Sequence, residues 1–319
     1  MKLNKFFVQP ALLFCLSATL FLQSCDKEDA KTATNTITDV VVSGATFSTL
    51  ESAVIKANLQ GTLSGAGPFT VFAPDDAAFA ASGITTTVLN SLSVTQVQNI
   101  LLYHTIASKI VAADVPAGPN AKVITISGDS VFVTKNASGV YVNGIKVTTA
   151  DVAADNGIIH AIGKVLIPAA GNIVETAIAS GLDSLVKAVT RATTAPGGDP
   201  TLAATLSNAK LTVFAPTNAA FTQLLGALSL TNINNIPVAT LLAVLRYHVV
   251  GGRAFSSDLS NTNLPMLAGG NTVVNLTNGT GGGPTLTGNG NGANKSNITA
   301  TNIVCRNGVV HLIDRVLLP

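Results

Sequence analysis

All four histidines of the chain stand in two short motifs, and each motif occurs twice. His104 and His248 follow a tyrosine, whereas His160 and His311 close the pattern Asn-Gly-aliphatic-aliphatic-His. Imidazole is the commonest metal ligand in proteins and a frequent general acid or base near neutral pH. Four histidines gathered in one place would therefore suit a metal centre or a hydrolytic site.

The repetition of the whole pattern argues against one shared histidine site. The string Thr-Val-Phe-Ala-Pro begins at Thr70 and again at Thr212, ahead of the histidine motifs in each copy. Every motif recurs about 140–150 residues later, whereas solenoid units have periods of ~20–50 residues, so the pattern predicts two copies of a whole domain. The histidines are then two structural positions used twice. No further ligands with metal-site spacing lie beside them.

Sequence signatures of the common enzyme classes are missing. The chain has no Gly-x-Ser-x-Gly elbow, no His-Glu-x-x-His, no Walker A loop and no Cys-x-x-Cys. We therefore predict that the protein is not an enzyme and that it uses no metal or other cofactor. A hydrolase is the least favoured of the hypotheses, because no pair of titratable residues suggests a catalytic cleft.

Amphipathic helices and short strands must position these motifs. His104 closes an apolar stripe that begins at Val97 and follows the helical spacing i, i+3, i+4 and i+7, and His248 closes the same stripe in the second copy. The spacing places both rings on the buried face or at its edge. A half-buried histidine needs a hydrogen-bond partner, and Asp76 and Asn218 in the preceding motif are the expected ones.

The second half of each copy shows the alternation of apolar and polar residues that is typical of strands. Residues 122–167 predict several strands, with a hairpin at Asn143-Gly144 and a last strand that carries His160 as a structural residue. In the second copy, Ala268–Asn297 is rich in glycine and asparagine, which predicts short strands joined by long loops.

The N-terminus has the features of an export signal. Lys2 and Lys5 precede the apolar stretch Ala11–Leu22, which is too short to span a bilayer. The residues up to Cys25 resemble the lipobox of bacterial lipoproteins, in which the cysteine becomes the acylated first residue. This implies a signal peptide at 1–24, a tether at 25–35 and lipidation of Cys25. An ordinary secretory signal with an incidental cysteine is the alternative.

Composition narrows the list of partners. Charged residues make up 11% of the chain, against about 25% in an average globular protein. Removing residues 1–24 leaves equal numbers of basic and acidic side chains, so no nucleic-acid partner is predicted. Cys305 is then the only cysteine besides Cys25, which excludes a disulfide framework and favours a buried thiol in the core.

Taken together, the Thr-Val-Phe-Ala-Pro, Tyr-His and Asn-Gly-x-x-His motifs resemble those of the fasciclin family. The resemblance covers nearly the whole chain after the signal and implies an α+β fold of two tandem domains, at 36–168 and 171–319. Each domain is expected to be a twisted β-wedge or sandwich with helices packed on it. The family is associated with extracellular adhesion and not with catalysis.

The resemblance also nominates interaction residues. In animal members the Tyr-His region has been linked to integrin contact, which nominates Tyr103, His104, Tyr247 and His248 here. The helical phase favours the other interpretation, in which these residues hold the fold together. Exposed loops are a second candidate surface, namely the segment Ala268–Asn297 and the region after each Tyr-His step.

The sequence thus predicts a surface-anchored outer-membrane lipoprotein that acts as a non-catalytic cell-adhesion or matrix-interaction module. Its partner would be a surface, matrix or glycan component, with the membrane reached through the lipid. Residues 26–29 resemble the surface-export signal of Bacteroidota lipoproteins. The alternative is a glycan-binding accessory lipoprotein for polysaccharide capture, which the absence of tryptophan disfavours. Ser130, expected in a turn, is a candidate for O-glycosylation.

Overall fold

The computed structural model describes residues 35–319, so the predicted signal peptide, Cys25 and nearly all of the tether lie outside the described residues. Residues 35–319 belong to one compact unit. Two domains of the same design follow one another within it. In the described part of the chain, no helix combines the length and the apolar character needed to cross a membrane.

The first domain begins with helices and ends with strands. Its helices are α1 (Ile37–Ser43), α2 (Ser48–Lys56), α3 (Gln60–Leu63), α4 (Asp76–Ala81), α5 (Thr86–Ser91) and α6 (Val94–Tyr103). Its strands are β1 (Phe69–Pro74), β2 (Thr105–Ile106), β3 (Gly118–Ile124), β4 (Ser130–Asn136), β5 (Gly139–Val142), β6 (Ile145–Ala154) and β7 (Gly157–Ile162).

The second domain repeats this order. Its helices are α7 (Ile173–Ala179), α8 (Asp183–Thr194), α9 (Thr201–Asn208), α10 (Asn218–Ala227) and α11 (Val238–Arg246). Its strands are β8 (Leu211–Pro216), β9 (Val249–Gly251), β10 (Asn263–Pro265), β11 (Asn271–Asn275), β12 (Thr285–Gly288), β13 (Ser296–Cys305) and β14 (Gly308–Ile313). Short 3₁₀ turns lie at Ile233–Asn235, Ser256–Asp258, Thr280–Gly282 and Asn289–Asn291.

Both sheets have the same strand order, which confirms the α+β fold class and the duplication. The order is β2-β1-β7-β6-β5-β4-β3 in the first domain and β9-β8-β14-β13-β12-β11-β10 in the second. The first and last long strands of each domain lie side by side and run parallel, with Phe72 opposite His160 and Phe214 opposite His311. The other pairs are antiparallel.

Side chains alternate between the two faces of the first long strand, and this alternation divides the core of each domain into two clusters. Val71 and Ala73 face the cluster formed with the helices, whereas Phe72 faces the cluster formed with the outer strands. In β8, Val213 and Phe214 divide the second domain in the same way. In each domain the helices pack on one face of the sheet and form the first cluster, whereas the strands of the second half of the domain form the second cluster.

Turn and cap residues fix where the elements begin and end. Asn143 and Gly144 have φ values of 48° and 72° and join β5 to β6, as the hairpin prediction required. Asp75 and Thr217 cap α4 and α10 through their side-chain oxygens. The last strand ends at Ile162, five residues before the predicted end.

Candidate functional site

Each Tyr-His step lies where a helix ends and a short strand begins. Helix α6 starts at a capping box formed by Ser93 and ends at Tyr103, with His104 as its C-terminal cap. Tyr103 is 1% exposed and His104 is 2% exposed, and Tyr247 and His248 have the same two values. All four side chains nominated as interaction residues therefore lie in the interior.

His104 bonds to backbone groups through both ring nitrogens. Its Nδ1 lies 2.7 Å from the carbonyl oxygen of Ile100, and its Nε2 accepts a hydrogen bond of 2.9 Å from the amide of Leu166. Because an amide can only donate, Nε2 is the unprotonated nitrogen and Nδ1 carries the proton that goes to Ile100. The amide of Leu166, four residues after the end of β7, therefore bonds to the histidine ring and not to a neighbouring strand.

His248 makes the same two bonds in the second domain. Its Nδ1 lies 2.7 Å from the carbonyl oxygen of Val244, and its Nε2 accepts a 2.9 Å hydrogen bond from the amide of Leu317. Burial lowers the pKa of His104 and of His248 from 6.5 to about 4, although the backbone hydrogen bond at Nδ1 acts in the opposite direction. Both rings are therefore neutral at physiological pH and join a helix end to the segment after the last strand.

The predicted partners of these histidines were wrong. The carboxylate of Asp76 accepts hydrogen bonds from the amide of Thr49 and the hydroxyl of Ser48, at the start of α2. Asn218 accepts a bond from the amide of Ser184 at the start of α8. The first turn of a helix has free N–H groups, and these polar side chains satisfy those of the neighbouring helix instead.

The tyrosine of each Tyr-His step connects the end of the same helix to a strand in the second half of its domain, β4 or β11. The phenol of Tyr103 donates to the carbonyl oxygen of Ser130 at 3.1 Å and accepts from Nδ2 of Asn143 at 3.0 Å. Burial raises its pKa to about 12. The phenol of Tyr247 donates to the carbonyl oxygen of Asn271. Both phenols are thus engaged by hydrogen bonds inside their own domain.

The second pair of histidines is also held by backbone groups. Nε2 of His160 lies 2.8 Å from the carbonyl oxygen of Ile110, and its Nδ1 accepts from the amide of Asp151 at 3.2 Å. Nε2 of His311 lies 3.0 Å from the carbonyl oxygen of Ala254. Across residues 35–319, no three His, Cys, Asp or Glu side chains are grouped so that they could hold a metal ion.

The asparagine of the Asn-Gly motif has a structural role that the sequence argument missed. Oδ1 of Asn156 accepts from the amide of Ile37 at 2.9 Å, and its Nδ2 donates to the carbonyl oxygens of Leu63 and Gly65 at 2.8 and 2.7 Å. Asn307 makes the corresponding three bonds in the second domain. The presence of asparagine at this position in both copies was the available signal. An amide side chain can accept one hydrogen bond and donate two, which is what these three backbone groups require.

Two residues singled out for their side-chain chemistry are wholly or partly buried. Cys305 is 1% exposed and its Sγ lies 3.3 Å from Oγ1 of Thr176, in agreement with the predicted core position. Ser130 is half-buried and begins strand β4, so it does not lie in the turn where it was expected.

The segment after the second Tyr-His step packs on the first domain. Phe255 is fully buried, and its ring centroid lies 6.1 Å from that of Phe132. The carboxylate of Asp258 accepts from Nδ2 of Asn120 at 3.1 Å and from Oγ1 of Thr134 at 3.2 Å. This segment, nominated as a recognition loop, thus forms an interface between the two domains.

Comparison with known proteins agrees with this architecture. The sequence model of the fasciclin domain matches residues 45–168 and again residues 185–319, which together exceed half of the chain. Protein sll1483 of Synechocystis is 41% identical over 135 residues, which cover 42% of this chain and 73% of that protein.

Larger animal proteins share the domain. Transforming growth factor-beta-induced protein ig-h3 of Sus scrofa is 34% identical over 135 residues, which are 42% of this chain and 20% of that protein. Human periostin is 28% identical over 163 residues, which are 50% of this chain and 19% of periostin. The solved domain pair of the insect cell adhesion molecule Fasciclin I is 18% identical, covers 85% of this chain and 96% of its own, and gives a TM-score of 0.40.

Proposed function

Because the chain belongs to the fasciclin domain family, we propose that it is a surface-anchored lipoprotein whose two domains form a non-catalytic adhesion module. Fasciclin domains occur in proteins of cell adhesion and of the extracellular matrix. The observation that supports this function is the engagement of all four motif histidines with backbone groups inside the domains. A catalytic histidine has to offer a nitrogen to the substrate, and these rings have none free.

The anchor is proposed from the sequence before residue 35. A positive start, an apolar stretch and Cys25 precede a polar tether, which is the order that a lipidated N-terminus requires. Acyl chains on Cys25 would hold the protein at the outer membrane with its domains on the cell surface. The Cys25→Ser variant is expected to leave the membrane fraction and appear in the soluble fraction, as measured by immunoblotting. Unchanged membrane association would contradict the anchor.

Recognition is assigned in this proposal to exposed loops of the second domain. Several residues of the Gly/Asn-rich segment are exposed and lie outside strands, for example Thr277, Asn278 and Gly281. A rigid scaffold that presents loops of this kind is a common arrangement for binding. The partner would be another cell, a matrix polymer or a neighbouring surface protein.

Adhesion itself can be measured with cells that display the full chain. Such cells should attach more firmly in a flow chamber than cells that lack it, and a shortened segment between β11 and β12 should reduce the difference. Protease access on intact cells provides the control for surface display. Equal attachment of displaying and non-displaying cells would refute the adhesion function.

A further inference from the structure

A cleft of about 260 Å³ lies between the two domains, and positive charge dominates its wall. The first domain contributes Lys122, and the second contributes Lys210, Arg253 and Arg306. Asp129 is the only carboxylate among the residues that line it. Basic and acidic residues balance over the chain after the signal, so this accumulation of cations is a local feature.

The cations of the cleft form no ion pairs within the described part of the chain. Lys122, Lys210 and Arg306 are exposed, and none of them takes part in an ion pair recorded among residues 35–319. Cations gathered in a concave site raise the local potential and attract anions. The wall therefore has the charge of an anion-binding site rather than of a solvated salt-bridge network.

Arg253 is fixed in a position suited to such a site. Its guanidinium lies 3.9 Å from the ring centroid of Phe132, and one terminal nitrogen donates to the carbonyl oxygens of Cys305 and Arg306 at 3.0 and 3.2 Å. Its Nε is buried and has no hydrogen-bond partner among the described residues. Burial also lowers the pKa of this guanidinium. An oxyanion in the cleft would offset the charge of this guanidinium.

We propose that this cleft binds the acidic group of a polysaccharide, a carboxylate or a sulfate carried on one sugar ring. The inference rests on the proposed adhesion function and names the chemical class of its partner. Pockets for drug-sized ligands have volumes of ~300–1,000 Å³, so this smaller cleft admits a single ring with its charged substituent. Because both domains contribute cations, a bound ring also bridges them.

Calorimetric titration of the detergent-purified full chain tests the proposal. The probes are a heparin-derived tetrasaccharide for sulfate, tetragalacturonate for carboxylate and cellotetraose as the uncharged sugar. We expect at least one acidic probe to bind, cellotetraose not to bind, and the affinity to fall as salt is added. The double variant Lys122→Gln/Lys210→Gln should weaken binding by about tenfold or more, because both lysines line the cleft.

A matched variant separates a local effect from a change in total charge. Lys146→Gln/Lys187→Gln removes the same charge from exposed positions outside the cleft and should leave the affinity within about twofold of the parent. An equal loss in this control would overturn the proposal. So would the absence of binding by both acidic probes, or binding of tetraglutamate or of inorganic sulfate as tight as that of the acidic sugars.

The adhesion assay keeps the two proposals distinguishable. If neither acidic sugar binds while displaying cells still attach, the cleft proposal fails and the adhesion function stands. If an acidic sugar binds in the cleft while displaying cells attach no better than cells without the protein, the adhesion function fails and the binding site stands.

Discussion

His104 and His248 each join two segments that are far apart in the chain. One ring nitrogen contacts the last turn of a helix, and the other accepts the amide of Leu166 or Leu317, beyond the last strand. Both rings are buried, with 2% of their surface exposed. The histidine is therefore a buried acceptor for an amide that has no other partner among residues 35–319, and its removal leaves that amide unsatisfied.

Replacing His104 with alanine should destabilise the first domain. The change removes the acceptor of the Leu166 amide and the donor to Ile100, at a cost on the order of 3 kcal/mol in the free energy of unfolding. Urea unfolding of the full chain, followed by circular dichroism, measures the loss. The Ser130→Ala variant alters a half-buried side chain of the same domain, leaves its backbone carbonyl in place and serves as the control. Lost adhesion with unchanged stability would instead establish a contact role for His104.

Acid should destabilise the protein through the same two rings. Their pKa is about 4 in the folded protein against 6.5 ordinarily, so the unfolded chain takes up the protons first as the pH falls. The stability contributed by the neutral rings is fully present above pH 6.5 and is lost as the pH falls toward 4, by roughly 3 kcal/mol for each ring.

The double variant His104→Gln/His248→Gln isolates this contribution to the pH dependence. Its free energy of unfolding should change less between pH 7 and pH 4 than that of the parent chain, even though it is lower at pH 7. Urea midpoints at both pH values provide the comparison. An identical dependence on pH in the two proteins would show that other groups are responsible.

Burial of these histidines could be predicted from the sequence, and their partners could not. The spacing from Val97 to His104 places the ring on the apolar stripe, as the structure confirms. The acceptor and donor that it meets are backbone groups, which every residue carries and which leave no trace in the sequence. The side chains that did look like partners, Asp76 and Asn218, serve helix ends instead.

At the scale of elements, the Asn-Gly motif brings the last strand against the first. Asn156 binds the start of α1 and the end of α3, which fixes the entry of β7. A Cβ atom on Gly157 would lie 2.2 Å from the carbonyl oxygen of Phe69, and one on Gly308 would lie 2.0 Å from that of Leu211. Only glycine permits this approach of the two parallel strands in each domain.

The Gly157→Ala variant should disrupt the pairing of β1 with β7. The added methyl group cannot be accommodated against backbone atoms, so we expect a loss of about 2 kcal/mol or more in the free energy of unfolding. Gly163→Ala is the matched control near the other end of β7, because its nearest neighbour would lie 3.8 Å away. Thermal unfolding compares the two variants. Equal melting temperatures would show that the strands adjust to the methyl group.

The types of most elements could be predicted, but the sheet order required the structure. Alternation in residues 122–167 and the Asn143-Gly144 turn indicated the hairpins, because neighbouring strands leave a local signal. The parallel pair joins strands at opposite ends of a domain, and nothing in either strand specifies its distant partner. Burial of both strands on both faces is the physical reason for their nearly continuous apolar composition.

At the scale of the whole molecule, the two domains share a polar and aromatic interface. The short connector at Ala169 to Gly171 suggested that the domains touch, but it could not indicate which faces meet. Comparing the copies gives a partial signal, because Phe255 occupies the position of Val111 in the first copy. Phe255 is buried, and an aromatic residue that is present in only one copy indicates a contact that the other copy does not make.

The Asn120→Asp variant should loosen this interface. Asn120 donates to the carbonyl oxygen of Arg253 and to Asp258, and an aspartate would place a second negative charge against both acceptors. We expect a larger radius of gyration in small-angle X-ray scattering. Asn58→Asp is the control, because Asn58 is exposed and has a similar positive φ. An unchanged radius of gyration in the Asn120 variant would show that other contacts determine the arrangement.

The parallel pairing of the first and last long strands of each domain has a consequence for the order of events during biosynthesis. The ribosome releases β1 early, yet its neighbour β7 is made almost 90 residues later, about as late as the domain allows. Until Ile162 has emerged, neither His104 nor Phe72 can meet its final surroundings. A nascent first domain must therefore stay incomplete through most of its own translation, and it can be completed before the second domain reaches the same point.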